Sequence, residues 1–131
     1  MPESIPEDFV AIFKQKSFAH LATLMPDGSP QVSPVWIDYD GEYILVNSAK
    51  GRIKDRNMEA RPQVSLSVLD PDNSYRYVMV RGTVVEILEE GAENHIDALA
   101  QRYFGREKYG LREGEVRRIY KIRPDHIVAH G

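Results

Sequence analysis

The chain contains no cysteine, so disulfides, thiolate catalysis and cysteine-based metal sites are excluded. No apolar run approaches the ~20 residues that a membrane-spanning helix needs. The start of the chain, Met1–Asp8, lacks the basic residues and the apolar stretch of a signal peptide. The four histidines show no metal-ligand spacing. We therefore expect a cytoplasmic protein with no metal site and no membrane partner.

A basic excess is also absent, because 17 Lys and Arg face 20 Asp and Glu for a net charge of −3. Nucleic-acid binders normally carry the opposite balance, so no nucleic-acid partner is expected. Hydrophobic residues make up 42% of the 131 positions, which is enough for one core. With no internal repeat or linker in sight, residues 1–131 are expected to form a single domain.

The apolar pattern predicts a mainly β protein with flanking helices. Alternation and turn residues predict strands at 17–25, 30–39, 42–47, 64–68, 75–88, 116–123 and 127–130. Helices are predicted at 6–16, 48–60 and 91–104. We expect the first three strands to form an antiparallel meander, and Gly82 to mark a bulge or a barrel corner. About six strands would then make a small antiparallel barrel.

Four cations, Lys50, Arg52, Lys54 and Arg56, fall at the start of the predicted helix 48–60. A helix N-terminus carries roughly half a positive charge, so cations belong there only if an anion is bound. At a spacing of four and three, Lys50, Lys54 and Asn57 are expected to share one helix face. The pattern fits a phosphate-binding site. It also fits a solvated face whose cations pair with nearby acidic residues, and both interpretations stay open.

Four segments, taken together and in order, resemble the pyridoxamine-phosphate-oxidase-like split-barrel superfamily. Within it the pattern is most similar to the B branch of flavin/deazaflavin oxidoreductases, which are often described as probable F420-dependent enzymes. The resemblance covers roughly positions 18–88. It is carried by Gly28–Asp38 (GSPQVSPVWID), Ser48–Asn57 (SAKGRIKDRN), Arg61–Leu66 (RPQVSL) and Tyr75–Gly82 (YRYVMVRG).

The resemblance implies a homodimeric, six-stranded antiparallel split β-barrel of the FMN-binding type, with cofactor sites at the subunit interface. Residues beside the tricyclic ring would be Ser33, Pro34, Val35 and Trp36. Contacts to the ring or to its ribityl-like chain would come from Asn47, Ser48 and the adjacent Ala49. Phosphate ligands would be Lys50, Arg52, Lys54 and Asn57, and the residues reaching the partner subunit's site would be Tyr75, Arg76 and Tyr77.

The function implied is a coenzyme F420-dependent oxidoreductase that transfers a hydride to an unsaturated small-molecule substrate. The alternatives are an FMN-dependent oxidase or reductase, or a non-catalytic cofactor- or heme-binding dimer. Vitamin B6 oxidation is not expected. True pyridoxamine phosphate oxidases carry a basic-ended apolar strand where this chain has residues 34–38, and they have a C-terminal motif for the substrate phosphate that residues 120–131 do not match. The deazaflavin carries carboxylates beyond its phosphate, and Arg56 and Arg61 could extend a cationic track toward them. No catalytic residue is predicted.

Overall fold

The computed structural model describes residues 2–131, which form one curled antiparallel sheet with flanking helices. A 3₁₀ helix, Glu7–Lys14, comes first. The strands are β1 (Phe18–Leu24), β2 (Pro30–Trp36), β3 (Asp38–Tyr39), β4 (Ile44–Ala49), β5 (Gln63–Asp70), β6 (Asn73–Leu88) and β7 (Arg117–His130). The two α-helices are α1 (Ile53–Ala60) and α2 (Ala92–Phe104). The strand order is β2-β1-β5-β6-β7-β4-β3.

The predicted class, a mainly β half-barrel with helices, is confirmed, but the strand count is seven. The expected meander is confirmed only in part, because β1 pairs with β2 along its length but only β3, the end of the predicted strand 30–39, pairs with β4. β4 pairs with β7, and only the two-residue β3 connects it to the preceding segment. The predicted strand 30–39 breaks at Ile37 because its backbone bonds go to α2. Its N–H donates to the Tyr103 hydroxyl at 3.1 Å, and its carbonyl accepts from Arg102 at 2.6 Å.

The last strand is continuous where two strands were expected. Pro124 lies opposite Gly82, at a shift in the β6–β7 register between Arg81 and Gly82. Proline lacks an N–H, and an irregular point of the ladder tolerates this loss. A Cβ at Gly82 would lie 2.7 Å from the Arg123 carbonyl oxygen, so only glycine fits there. The predicted bulge at Gly82 is confirmed.

The core fills the inside of the curled sheet. Alternate residues of the long strands point inward and are fully buried, among them Leu21, Val46, Val68, Val80 and Ile122. The 3₁₀ helix closes the core with Phe9, Ile12 and Phe13. Helix α2 instead builds a second, smaller cluster, in which Ile96, Leu99 and Tyr103 pack with Trp36 and Tyr109. Among residues 2–131, no helix is long and apolar enough to span a membrane.

Helix α1 is shorter than the predicted segment 48–60. Ser48 and Ala49 continue β4, because the ladder with β7 extends to the pair Ala49–Arg117. Lys50 and Gly51 then form a turn, with Gly51 at φ +96°. That left-handed conformation favours glycine. The helix begins only at Ile53, so the prediction that Lys50 shares a helix face with Lys54 and Asn57 is wrong.

Candidate functional site

An open pocket of about 200 Å³ lies where β2, β4 and β7 meet the start of α1 and one side of α2. One side of it is aromatic and aliphatic, and the other side is polar and cationic. Its lining residues are Phe18, Pro34, Val35, Trp36, Asn47, Ser48, Arg52, Lys54, Ile96, Tyr109 and Arg117. Such a division suits a ligand with a flat apolar part and a charged part.

The apolar side is organised around Trp36, the only tryptophan of the chain. Its indole stacks on Tyr103 with ring centroids 4.8 Å apart and planes 10° from parallel. Phe104 and Tyr109 meet the same indole edge-on, at 5.1 and 6.1 Å. The Tyr103 hydroxyl is itself fixed, since it donates to the Ser17 carbonyl and accepts from the Ile37 N–H. Trp36 therefore presents a rigid wall to the pocket.

The polar side gathers three cations, Arg52, Lys54 and Arg117. Burial lowers the pKa of the Lys54 ammonium, and the positive charges of Arg52 and Arg117 lower this pKa further. Within residues 2–131, the only salt bridge of these three side chains joins Arg117 to Glu115, at 2.7 Å. Three cations with one carboxylate leave a net positive site, and a bound anion would relieve their mutual repulsion.

Two uncharged features next to these cations also fit an oxyanion. Arg52 is the N-cap of α1, and no side chain caps the helix, so N–H groups of its first turn remain available. Ser48 lines the pocket, and its buried hydroxyl has no hydrogen-bond partner among residues 2–131. The donor set therefore fits the phosphate of a phosphorylated aromatic cofactor.

A buried carboxylate, Asp55, holds this end of α1 in place. It accepts hydrogen bonds from the Gly51 N–H at 2.8 Å, the Tyr120 hydroxyl at 2.6 Å and the Arg118 guanidinium at 3.0 Å. Burial alone would raise the pKa of Asp55, but these bonds outweigh it and lower the pKa below its ordinary value. The turn that carries Arg52 is thus tied to β7.

The predicted site residues fall into two groups. The pocket brings together Pro34, Val35, Trp36, Asn47, Ser48, Arg52 and Lys54. The others do not line it. Ser33 lies in β2 opposite Leu21, Ala49 is buried at the end of β4, and Lys50 is exposed in the turn before α1.

Asn57 requires a correction, because its side chain faces β1. Its Nδ2 donates to the Thr23 hydroxyl at 3.0 Å, and its Oδ1 accepts from Arg61 at 3.2 Å. Arg61 also donates to the Leu24 carbonyl at 2.7 Å, so it does not extend a cationic track into the pocket. Arg56 is exposed and does not line the pocket either. The expected phosphate contact of Asn57 is not available in this arrangement.

Tyr75, Arg76 and Tyr77 lie on β6, outside the pocket. Tyr75 is 80% exposed. Arg76 sits 4.0 Å above the ring of Phe9, and Tyr77 stacks on His130 at 5.0 Å. Their expected role concerns the site of a partner subunit and stays a prediction.

Sequence reasoning missed four lining residues: Phe18, Ile96, Tyr109 and Arg117. They come from β1, from α2, from the segment after α2 and from the first residue of β7. Arg117 is brought to the site by its pairing with Ala49 across a sequence separation of 68 positions. The one sequence signal for Arg117 was its position as a cation just after a polar loop that contains several glycines. Among residues 2–131, no cluster of His, Asp and Glu could hold a metal ion.

The fold is that of a split-barrel protein, and its pocket combines an aromatic wall with a cluster of cations. The sequence model of the pyridoxamine 5'-phosphate oxidase family matches residues 5–131, and the chain belongs to that family. It is similar to a solved F420 reductase, with 36% identity and a TM-score of 0.84 over 95% of this chain and 98% of that one.

Two more distant structures share the fold alone. One is a putative pyridoxamine 5'-phosphate oxidase from Listeria innocua, with 18% identity, a TM-score of 0.72 and coverage of 94% of this chain and 95% of that chain. The other is the heme storage protein HutZ from Vibrio cholerae, with 21% identity, a TM-score of 0.71 and coverage of 95% of this chain and 94% of that chain.

Proposed function

We propose that this chain is an oxidoreductase that uses a flavin-type cofactor, specifically coenzyme F420, to reduce an unsaturated small molecule. The observation that carries the proposal is the grouping of Arg52, Lys54 and Arg117 beside a rigid aromatic wall. The similarity to an F420 reductase over nearly the whole chain supports it. An FMN-dependent oxidase or reductase on the same fold is the alternative.

In this proposal different residues of the pocket bind the phosphate and the ring system of the cofactor. Arg52 and Lys54, with the start of α1 and the Ser48 hydroxyl, bind the phosphate through charge-assisted hydrogen bonds. The backbone of Pro34 and Val35 and the ring of Trp36 hold the flat ring system. When bound, the deazaflavin would supply the hydride. The protein would position the cofactor, exclude water from the pocket and provide the surrounding charges.

The choice of deazaflavin over FMN rests on the similarity to an F420 reductase over nearly the whole chain. Arg52, Lys54 and Arg117 with one carboxylate partner, Glu115, leave a net charge of about +2, and a phosphate group carries about −1.5 to −2 at pH 7. The charge of the pocket therefore fits the phosphate of either cofactor.

The test is a titration of the purified protein with coenzyme F420 and, separately, with FMN. Trp36 lines the pocket and is the only tryptophan, so its fluorescence reports ligand binding directly. Tight F420 binding and weak FMN binding, followed by turnover with a panel of enones, quinones and tetrapyrroles, are expected. A preference for FMN would make the protein a flavoenzyme, and binding of neither would contradict the proposal.

We also propose that the protein is a homodimer with its cofactor sites at the interface. The ladder registers place Pro34, His20, Ser67, Met79 and Val128 in one row across the outer face of the sheet. The row begins at the pocket, because Pro34 lines it. Met79 and Val128 are 43% and 39% exposed, which is unusual for apolar side chains on neighbouring strands.

A second row on the same outer face supports a second copy of the chain as its partner. Ala22, Ser65, Arg81 and His126 lie in register there and line a hollow of about 540 Å³. Val32, next to Ala22 on β2, is 61% exposed. In a dimer across this face, Tyr75, Arg76 and Tyr77 of one subunit would come toward the other subunit's pocket.

A further inference from the structure

A chain of hydrogen bonds runs beneath the pocket and connects three parts of the fold. It begins at Asp38 in β3, where the carboxylate accepts from His95 at 3.1 Å, from Arg102 at 2.7 Å and from Lys14 at 3.0 Å. Burial would raise the pKa of Asp38, but the bonds from His95, Arg102 and Lys14 outweigh it and hold the pKa well below its ordinary value. The carboxylate is therefore a fixed anion under α2.

His95 links the Asp38 carboxylate to Asn47, which lines the pocket. The Asn47 amide donates to the His95 Nδ1 at 3.1 Å and to the Ala92 carbonyl at 2.9 Å. Its Oδ1 accepts from the Arg117 Nε at 2.9 Å. Both amide hydrogens are used, so Asn47 has no N–H left to donate to a ligand.

These partners fix the state of the His95 ring. Because Arg117 can only donate, Asn47 must present its oxygen to Arg117 and its amide nitrogen to His95. The Nδ1 atom of His95 is then an acceptor, and its Nε2–H donates to Asp38. The imidazole is neutral, with one side chain on each of its two nitrogens.

The chain ends at Arg117, whose side chain is 2% exposed. Its Nε is held by Asn47, its Nη1 by Glu115, and its guanidinium lies 4.8 Å from the centroid of the Tyr109 ring. Its Nη2 has no hydrogen-bond partner among residues 2–131. The positive charge of Arg117 also reaches Lys54, whose pKa it lowers.

We propose that Arg117 binds an anionic group of the cofactor, and that His95 is its positioning residue, acting through Asn47. This inference rests on the proposed function and extends it to residues of α2 and β7. Arg117 provides the third cation of the site, and the neutral His95 ring keeps Asn47 oriented so that the guanidinium stays aimed at the pocket. Because its Nε and Nη1 are already held, the guanidinium can offer its Nη2 to an oxyanion with little further loss of side-chain freedom on binding.

The experiment measures F420 and FMN binding by Trp36 fluorescence for Arg117→Met, Arg117→Lys, His95→Leu and His95→Gln. Arg117→Met should weaken binding about ten- to a hundredfold, and Arg117→Lys less, because the charge remains but the fork is lost. His95→Leu should weaken binding by about three- to tenfold, while His95→Gln, which can accept from Asn47 and donate to Asp38, should restore most of the affinity. Circular dichroism and thermal unfolding of each variant show that it is folded.

Arg112→Met is the matched control, because it removes the same charge from an exposed loop position outside the pocket. The inference would be overturned if Arg117→Met kept wild-type affinity, or if His95→Leu and His95→Gln lost affinity equally. The proposed function would still stand in that case if Lys54→Ala weakened cofactor binding. If the wild type bound neither cofactor, the proposed function would fall. The increase in thermal stability on adding inorganic phosphate would then test whether Arg117 binds an anion. A smaller increase in Arg117→Met than in the wild type would support this role, and an equal increase would overturn it.

Discussion

Lys50 and Lys54 are four residues apart, yet they occupy different surroundings. The Lys50 N–H donates to the Val116 carbonyl at 2.8 Å, which places its side chain on the exposed turn before α1. Lys54 lies in the first turn of the helix, lines the pocket and has a lowered pKa because of burial and two neighbouring arginines. Only Lys54 is therefore expected to meet a bound anion directly.

Lys54→Ala should weaken cofactor binding about ten- to a hundredfold, because a charge-assisted contact contributes roughly 1.5–3 kcal/mol. Lys50→Ala removes the same charge from the same segment and should change the dissociation constant by less than about threefold. Trp36 fluorescence titrations of both variants with coenzyme F420 make the comparison. Equal losses would mean that the anion is held by diffuse charge, contrary to the proposed site.

The basic segment could be predicted from the sequence because its members are neighbours in the chain. Arg52 and Lys54 reach the pocket as expected. Asn57 does not, since helix α1 starts five residues later than predicted and turns that side chain toward Thr23. Arg117 and His95 could not be found in this way, because long-range strand pairing and the packing of α2 bring them to Asn47.

At the scale of elements, Asp38 joins the 3₁₀ helix and α2 to the short strand β3. Its carboxylate binds Lys14 of the 3₁₀ helix together with His95 and Arg102 of α2, and its own strand, β3, has only two residues. Arg102 adds bonds to the carbonyls of Phe13 and Ile37. Asp38 thus helps to fix α2, and with it the wall of the pocket, to the sheet.

Asp38→Asn should lower the free energy of unfolding by about 2–3 kcal/mol at pH 7, because it leaves the partly buried Arg102 and the more exposed Lys14 without a counter-charge. The fold lowers the pKa of Asp38, so the stabilisation is fully present above the ordinary carboxyl pKa of about 4 and is lost progressively as the pH falls from there toward the lowered pKa. Urea unfolding at pH 7 and at about pH 3 should therefore show a difference that shrinks in acid.

Asp125→Asn is the control for this prediction. Its ion pair with Arg123 is partly solvent-exposed and should contribute less than about 1 kcal/mol. A difference between Asp38→Asn and the wild type that stayed constant from pH 7 to about pH 3 would show that the charge of Asp38 contributes nothing.

The helices and strands show which features of the fold can be predicted from the local sequence pattern and which cannot. Alternation in β5 and β6 and the helical spacing in α2 are local signals, and these elements lie close to where they were predicted. The strand order is not local. The sequence suggested that the strand 30–39 would pair along its length with 42–47, but the strand breaks at Ile37, whose backbone bonds to Tyr103 and Arg102. Only residues 38 and 39 pair with β4, which pairs on its other side with β7.

At the scale of the whole molecule, the outer face of the sheet is the feature that a single chain does not explain. The exposed row from Pro34 to Val128 crosses five strands, and a monomer gains nothing from leaving Met79 and Val128 in water. The same row touches the pocket at Pro34. If the proposed dimer forms across this face, dimerisation and cofactor binding should therefore depend on each other.

Met79→Asp places a carboxylate at the centre of this row, where burial in an interface would be costly. We expect sedimentation equilibrium to give twice the chain mass of 15.0 kDa for the wild type and the chain mass alone for the variant. Cofactor affinity should fall by at least about tenfold, because each pocket would lose its partner subunit. Leu111→Asp, at an exposed loop position away from the sheet, should stay dimeric. A wild type that sediments as a monomer while binding the cofactor tightly would mean that one chain completes the site alone, and that the outer face serves some other contact.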